Sequence, residues 1–355
     1  MEVLLRSNSL EAREAMKTNT FLKEGKKYVL LLRNVIMKDD QEFIKWEAIE
    51  EEKFQKPSFM KSFFISLRAI SLTAVFTPCL AIYLFGQYSG YTANSTFNWL
   101  STIGVIFALL AVNVFNDVSD HYKLIDLPEN VGGSGVIQKG WISARQLRTI
   151  GIVFLTIGFA IGTYLLSQVN GIEIFILLGF VGAIGYSAST WGLKYHALGD
   201  LAVLLFCGPV LTIGHSLVTF GEVIPGSTSI GLFFGFLANG ILHANNIEDI
   251  HVDKGRKVTT LATVLGLKSS KNVYYAFYLF AYLSIFSTVF IANAKLVTVL
   301  LPLLSLPIIL PVIKKVSTAQ SSKDEHIRGI RFSSAQFHLI TGILFCLGVY
   351  LARFF

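Results

Sequence analysis

From residue 62 onward the chain alternates between long, almost uncharged apolar runs and short polar connections. A run of about 20 apolar residues wound as an α-helix crosses the roughly 30 Å hydrocarbon core of a bilayer. Nine runs reach that length, at 64–86, 97–116, 147–167, 172–191, 198–219, 228–247, 272–292, 296–313 and 337–352. The pattern predicts an all-α, polytopic membrane fold with nine transmembrane helices in residues 62–355. Residues 1–61 differ in kind. They hold twelve Lys/Arg and eleven Asp/Glu, and their longest apolar patch, YVLLLRNVI, is too short to span. The stretch SLEAREAMK joins a Ser cap to strong helix formers, and no signal-peptide pattern precedes it. This segment reads as a cytosolic, helical N-terminal extension that rests on the membrane through an apolar face. Its role is not legible.

Composition strengthens the membrane reading. The 355 residues are 53% hydrophobic and 15% charged, with a mean hydropathy of +0.58, whereas a soluble domain carries about 25% charge. Lys and Arg gather in alternate connections, as they do on the cytoplasmic side of membrane proteins. Fifteen lie after the second, fourth, sixth and eighth runs, counting Arg148 just inside the third, against Lys295 and Arg353 opposite. The N-terminus is therefore expected in the cytoplasm and the C-terminus outside. The same bias, attractive to anionic lipid headgroups, accounts for the net charge of +7 without a nucleic acid partner. Cys79, Cys207 and Cys346 fall inside apolar runs far apart in sequence, so they read as packing residues and not as a disulfide or metal site.

The chemistry sits where two runs end. The second closes in AVNVFNDVSDHYK and the sixth in HANNIEDIHVDKG. Both follow one pattern: Asn, Asp four residues later, and a basic residue close behind. Four helices apart, the two ends face the same side of the membrane, which predicts two four-helix halves around a central cavity plus one extra helix. Asn245, Asn246, Asp249 and Asp253 occupy neighbouring helix positions, as do Asn116 and Asp120, with Asp117 alongside and Asp126 in the loop beyond. Paired carboxylates suit a hard divalent cation such as Mg2+, which shares its oxygen ligands with substrate phosphates. Lys123, Lys194, Lys254 and Arg256 lie on the same side and are suited to the remaining phosphate charge. A charged helix end is often only a solvated cap. Two matched motifs on one side argue for function, because polar clusters on membrane helices are functional by default.

These residues also carry a resemblance. NDVSDHYKLID and NNIEDIHVDKGRKVTTLATVLG resemble the two aspartate-rich motifs of the UbiA superfamily of membrane prenyltransferases. Within it, the second motif and the following TTLA..LG are most similar to the 1,4-dihydroxy-2-naphthoate prenyltransferases of menaquinone synthesis. The run LRAISLTAVFTP resembles the family's first helix through Arg68 and Pro78, and GGSGVIQKGWIS its continuation after the first motif. GLKYHALGDLAVLLFCGP matches through Lys194, Tyr195, Gly199, Asp200, Gly208 and Pro209. Two positions depart from the family: Glu248 stands where an Arg is usual, and Gly135 follows GGS where an Arg often does.

The resemblance implies that Asp117, Asp120, Asp249 and Asp253 hold Mg2+ against an allylic polyprenyl diphosphate, with Asn116, Asn245, Asn246 and Arg68 in the same site. An electron-rich aromatic acceptor then attacks the allylic cation left by departing pyrophosphate, sheltered from water within the lipid bilayer. Tyr186 and Trp191 offer aromatic faces to that cation. It further implies a bacterial inner-membrane enzyme with its active-site loops in the cytoplasm. His121 and His251 read as loop or supporting residues, and His215 and His243 as hydrogen-bonded packing residues. Pro78, Pro209, Pro302 and Pro307 are expected to bend helices. Rival readings are a UbiA-type enzyme for 4-hydroxybenzoate or a lipid acceptor, an ion-coupled transporter, and an isoprenoid-binding protein without activity. Transporter sites lie near the midplane, which disfavours that rival for aspartates at helix ends.

Overall fold

The structure, a computed structural model, describes residues 1–128, 132–187 and 191–354. Residues 1–50 correct the expected helical extension and, with it, the all-α class. They form a four-stranded antiparallel sheet in the order β1-β4-β3-β2, from β1 (Glu2–Arg6), β2 (Thr20–Lys23), β3 (Lys26–Lys38) and β4 (Gln41–Glu50). The helix α1 (Leu10–Thr18) is where the Ser cap placed it, with Ser9 Oγ accepting from Ala12 N. The sheet follows from alternation: along β4, Ile44, Trp46 and Ala48 are buried while their neighbours stay wetter, the period-2 signature of a half-buried strand. Ala12, Ala15 and Met16 of α1 close a core with Leu5, Leu30, Leu32, Ile44 and Trp46. The short helix α2 (Phe59–Ser66) follows.

The remaining helices, in chain order, are α3 (Thr73–Tyr88), α4 (Ser95–Tyr122), α5 (Ala144–Leu166), α6 (Glu173–Gly185), α7 (Gly199–Phe206) and α8 (Pro209–Phe220). Next come α9 (Ser227–Gly255), α10 (Leu261–Ile291), α11 (Val297–Leu303), α12 (Leu306–Thr318) and α13 (Ile330–Leu351). Among the described residues, seven helical stretches are long and apolar enough to cross a membrane, or eight if α11 and α12, bent by 45°, form one span. The seven are α3 with its lead-in turn, α4, α5, α7 joined to α8, α9, α10, and α13 with its flanking turns. Nine is not reached because the expected run 172–191 yields only the 13-residue α6, about 20 Å long. Residues 188–190 of that run lie outside the described residues.

The chain divides into two compact units. One gathers Met1–Ala69 with Leu110–Phe154, so the sheet, α2, the end of α4 and the start of α5 belong together. The other holds the remaining helices. Its centre is α9, whose Phe233, Phe234 and Leu237 pack with Ile82 and Phe85 of α3, Tyr274 and Tyr278 of α10, and Phe337 and Phe345 of α13. Helix α9 also meets the α7–α8 junction at backbone distance. A Cβ on Gly208 would sit 2.8 Å from the Gly231 carbonyl oxygen, so glycine is required where the chain breaks ahead of Pro209. The three cysteines are free, as packing residues should be.

Candidate functional site

In the first unit the last turns of α4 carry Asn116, Asp117 and Asp120. Both aspartates are 3% exposed, which an ionised carboxylate tolerates only with donors or cations around it. Asn116 Nδ2 donates to Asp120 Oδ2 at 3.0 Å. Arg68, held at a positive φ of 53° just past α2, brings Nη1 to 3.5 Å from Asp117 Oδ1. Ser134 donates to Asp117 Oδ2 through its backbone N–H at 3.0 Å and through its hydroxyl. Gly132 N donates to Asp126 Oδ1 at 2.9 Å. A Cβ on Gly133 would run into the Asp117 carboxylate and stand 3.1 Å from Asp126 Oδ2. The segment GGS is thus a lining for the aspartates, and its glycine is there because backbone must pass against a carboxylate.

The same unit fastens the N-terminal sheet to this motif, a relation the sequence did not suggest. His121, next to Asp120 in α4, bonds through Nε2 to the Met16 carbonyl at 2.9 Å. Leu124 completes the core beneath the sheet. Asn19, buried at the end of α1, donates through Nδ2 to Ile137 O at 2.7 Å and Leu30 O at 3.3 Å.

In the second unit the end of α9 repeats the pattern. Asn245 Nδ2 donates to Asp249 Oδ2 at 2.9 Å, the counterpart of the Asn116–Asp120 bond. Asp249 and Asp253 are 8% and 5% exposed. Asn246 reaches Asp200 Oδ2 at 3.4 Å, and His243 Nδ1 meets Asp200 Oδ1 at 2.7 Å while Nε2 meets Ser270 O at 3.1 Å. His243 is therefore a hydrogen-bonded packing residue, as is His215 between Ser101 and Asn98. Glu248 turns to the start of α13. Its carboxylate accepts from Gly329 N at 3.1 Å and Arg331 N at 3.0 Å, and Arg331 Nη1 donates to Asn245 Oδ1 at 2.7 Å.

The other expected residues are less gathered. Lys194 N donates to Tyr186 O at 3.0 Å, which ties those two together, and Lys194 Nζ lies 5.2 Å from the Tyr195 ring. Lys123 and Arg256 are half-buried just beyond α4 and α9, Lys254 is exposed, and Trp191 is 60% exposed. Sequence reasoning passed over the contacts of Ser134, Arg331 and the Asp200–His243 pair. The GGS segment and the LGD stretch were signals for the first and last; Arg331 had none.

Each motif offers two buried carboxylates, which are hard oxygen donors. Mg2+ takes one or two carboxylates from a protein and fills its shell with water and phosphate oxygens, so such pairs fit it. Among the described residues, no three His, Cys, Asp or Glu side chains gather into a closed protein cage.

The chain is similar in sequence and fold to known proteins. A "1,4-dihydroxy-2-naphthoate octaprenyltransferase" of Haemophilus influenzae is 28% identical over 293 residues, 79% of this chain and 91% of the relative. The human "UbiA prenyltransferase domain-containing protein 1" is 24% identical over 339 residues, 92% of this chain and 96% of that one. The solved structure of a UbiA homolog from Archaeoglobus fulgidus, bound to GPP and Mg2+, shares the fold with a TM-score of 0.53 at 16% identity, covering 80% of this chain and 99% of its own. Residues 75–335, which contain both aspartate motifs, match the UbiA prenyltransferase family. With its apolar helices and its two Asn–Asp motifs, the chain belongs to that family of membrane enzymes that transfer prenyl groups.

Proposed function

We propose that this enzyme transfers a prenyl group from an allylic polyprenyl diphosphate to 1,4-dihydroxy-2-naphthoate in quinone synthesis. The observation that carries the reading is the repeated Asn-to-Asp hydrogen bond, 3.0 Å in α4 and 2.9 Å in α9, beside buried aspartate pairs. Asp117 and Asp120 at one motif and Asp249 and Asp253 at the other would hold Mg2+, which would supply positive charge to the departing pyrophosphate. Asn116 orients the Asp120 carboxylate and Asn245 that of Asp249. Arg68, Lys123, Lys194, Lys254 and Arg256 are assigned to the phosphate charge, and Tyr186 to the allylic cation through its ring face. The carbon–oxygen bond to diphosphate breaks to leave the allylic cation, the acceptor ring attacks that cation to form the new carbon–carbon bond, and the naphthoate loses its carboxylate as CO2.

The choice of donor is supported by the GPP and Mg2+ of the archaeal neighbour, and the choice of acceptor by the name of the bacterial relative. Membranes containing the protein, incubated with labelled farnesyl diphosphate, Mg2+ and 1,4-dihydroxy-2-naphthoate, are expected to yield a prenylated naphthoquinol. Product from 4-hydroxybenzoate alone would overturn the acceptor. No product from any aromatic or lipid acceptor would overturn the enzyme.

A further inference from the structure

The strangest residue of the second motif is Glu248. It adds a third carboxylate to a helix stretch that already buries Asp249 and Asp253, in a region argued above to receive an anion. Its surroundings explain why it is there. The N-cap of α13 is Gly329, which has no side chain with which to cap the helix. The first amides of a helix are unsatisfied and carry partial positive charge. Glu248 satisfies two of them, Gly329 N and Arg331 N, from a different helix. The Arg331 side chain starts from the second of these amides and returns to Asn245 Oδ1 at 2.7 Å. That same Asn245 holds Asp249 at 2.9 Å. Arg331 is thus pinned at both ends: its backbone by Glu248, its guanidinium by Asn245.

A guanidinium has five N–H donors in a planar fork that matches phosphate oxygens two at a time. Half-buried and fixed one residue away from a carboxylate pair suited to Mg2+, it is preorganised for the anion that the metal shares. We propose that Arg331 binds the diphosphate of the prenyl donor at the second motif, and that Glu248 is its positioning residue. This rests on the Mg2+–diphosphate reading of that motif. It assigns a purpose to a carboxylate that would otherwise repel the substrate: Glu248 spends its charge on the start of α13 and so delivers a cation of greater reach.

The test uses the full-length protein in detergent or vesicles, with inorganic pyrophosphate plus Mg2+ as a probe of the anion site alone. Pyrophosphate inhibition (Ki) and the KM values for donor and acceptor are measured for wild type, Arg331→Gln, Arg331→Lys and Glu248→Gln. Losing a charge-assisted contact of this kind raises Ki and donor KM about ten- to a hundredfold in Arg331→Gln, with acceptor KM unchanged. Arg331→Lys keeps the charge without the fork and recovers part of the loss. Glu248→Gln, which leaves the guanidinium intact but loosens its base, raises donor KM and Ki severalfold and changes kcat less. If Arg331→Gln fails to fold, the Lys and Glu248→Gln variants carry the same comparison. Unchanged Ki and donor KM in all folded variants, with only a fall in thermal stability, would mean that Arg331 merely anchors α13 and overturns the proposal. Wild-type protein insensitive to pyrophosphate and Mg2+ would overturn the diphosphate reading itself, a separate and visible failure.

Discussion

The contact between the N-terminal sheet and the first aspartate motif is testable at Asn19. This residue ends α1 in the left-handed region, at φ 54° and ψ 29°, and is 3% exposed. Its Nδ2 serves Ile137 O at 2.7 Å and Leu30 O at 3.3 Å. Ile137 lies three residues after Ser134, whose backbone N–H donates to Asp117. Replacing Asn19 by Ala removes both donors and leaves the Ile137 carbonyl with Gly140 N as its remaining partner, at about 0.5–1.5 kcal/mol. The longer bond to Leu30 adds about 0.5–1 kcal/mol, and forcing Ala into a left-handed backbone adds about 1–2 kcal/mol. The sum is about 2–4.5 kcal/mol. Asn19→Gly escapes the backbone cost and is expected to be milder by about 1 kcal/mol. Gly140 and Trp141 donate their amides to Ile137 O and Val136 O within the turn that Asn19 holds, so hydrogen exchange reports the loss directly. At about 1.4 kcal/mol per tenfold, exchange of those two amides should quicken about thirtyfold or more in Asn19→Ala. A change under tenfold would refute the anchoring argument. Equal effects of Ala and Gly would refute the backbone part alone.

Other outcomes follow from the same geometry. Asp120→Asn and Asp249→Asn keep shape but remove charge from each motif, so Mg2+-dependent prenyl transfer should fall by at least a hundredfold while the protein stays folded; activity surviving both would return the aspartates to solvated helix ends. Gly133→Ala drives a methyl into the Asp117 carboxylate, and donor KM should rise while the apolar helices keep their thermal midpoint; a wild-type KM would show that the loop yields freely. Single cysteines at Ser134 and Ser269 should be labelled only from the cytoplasmic side; labelling of either from outside contradicts the charge-bias topology. Deleting residues 1–56 exposes the underside of Leu124 and unties His121, so the truncated protein should insert in the membrane but bind donor and Mg2+ more weakly; undiminished binding would make the sheet an independent passenger.

Much of this protein is legible along the chain because a bilayer leaves few choices. Apolar runs must be helices with their backbone groups satisfied internally, so most of the membrane helices could be placed by length and composition alone. The aspartate motifs were equally plain, since carboxylates and amides spaced three or four apart share a helix face whatever surrounds it. Residues 1–61 were misread because charge density hid a two-residue alternation: Ile44, Trp46 and Ala48 are buried beside Phe43, Lys45 and Glu47, and a sheet is chosen by partners distant in sequence. The run 172–191 yields a described helix of only 13 residues, Glu173–Gly185, because hydropathy does not say where a helix stops. The four-helix halves rest on the sequence repeat alone. Only tertiary structure could bring Asn19 to Ile137, across 118 residues, or Arg331 to Asn245, across 86. Local periodicity is silent about such pairs. They exist because buried carbonyls and carboxylates must find donors, and the nearest donors in space are supplied by other parts of the chain.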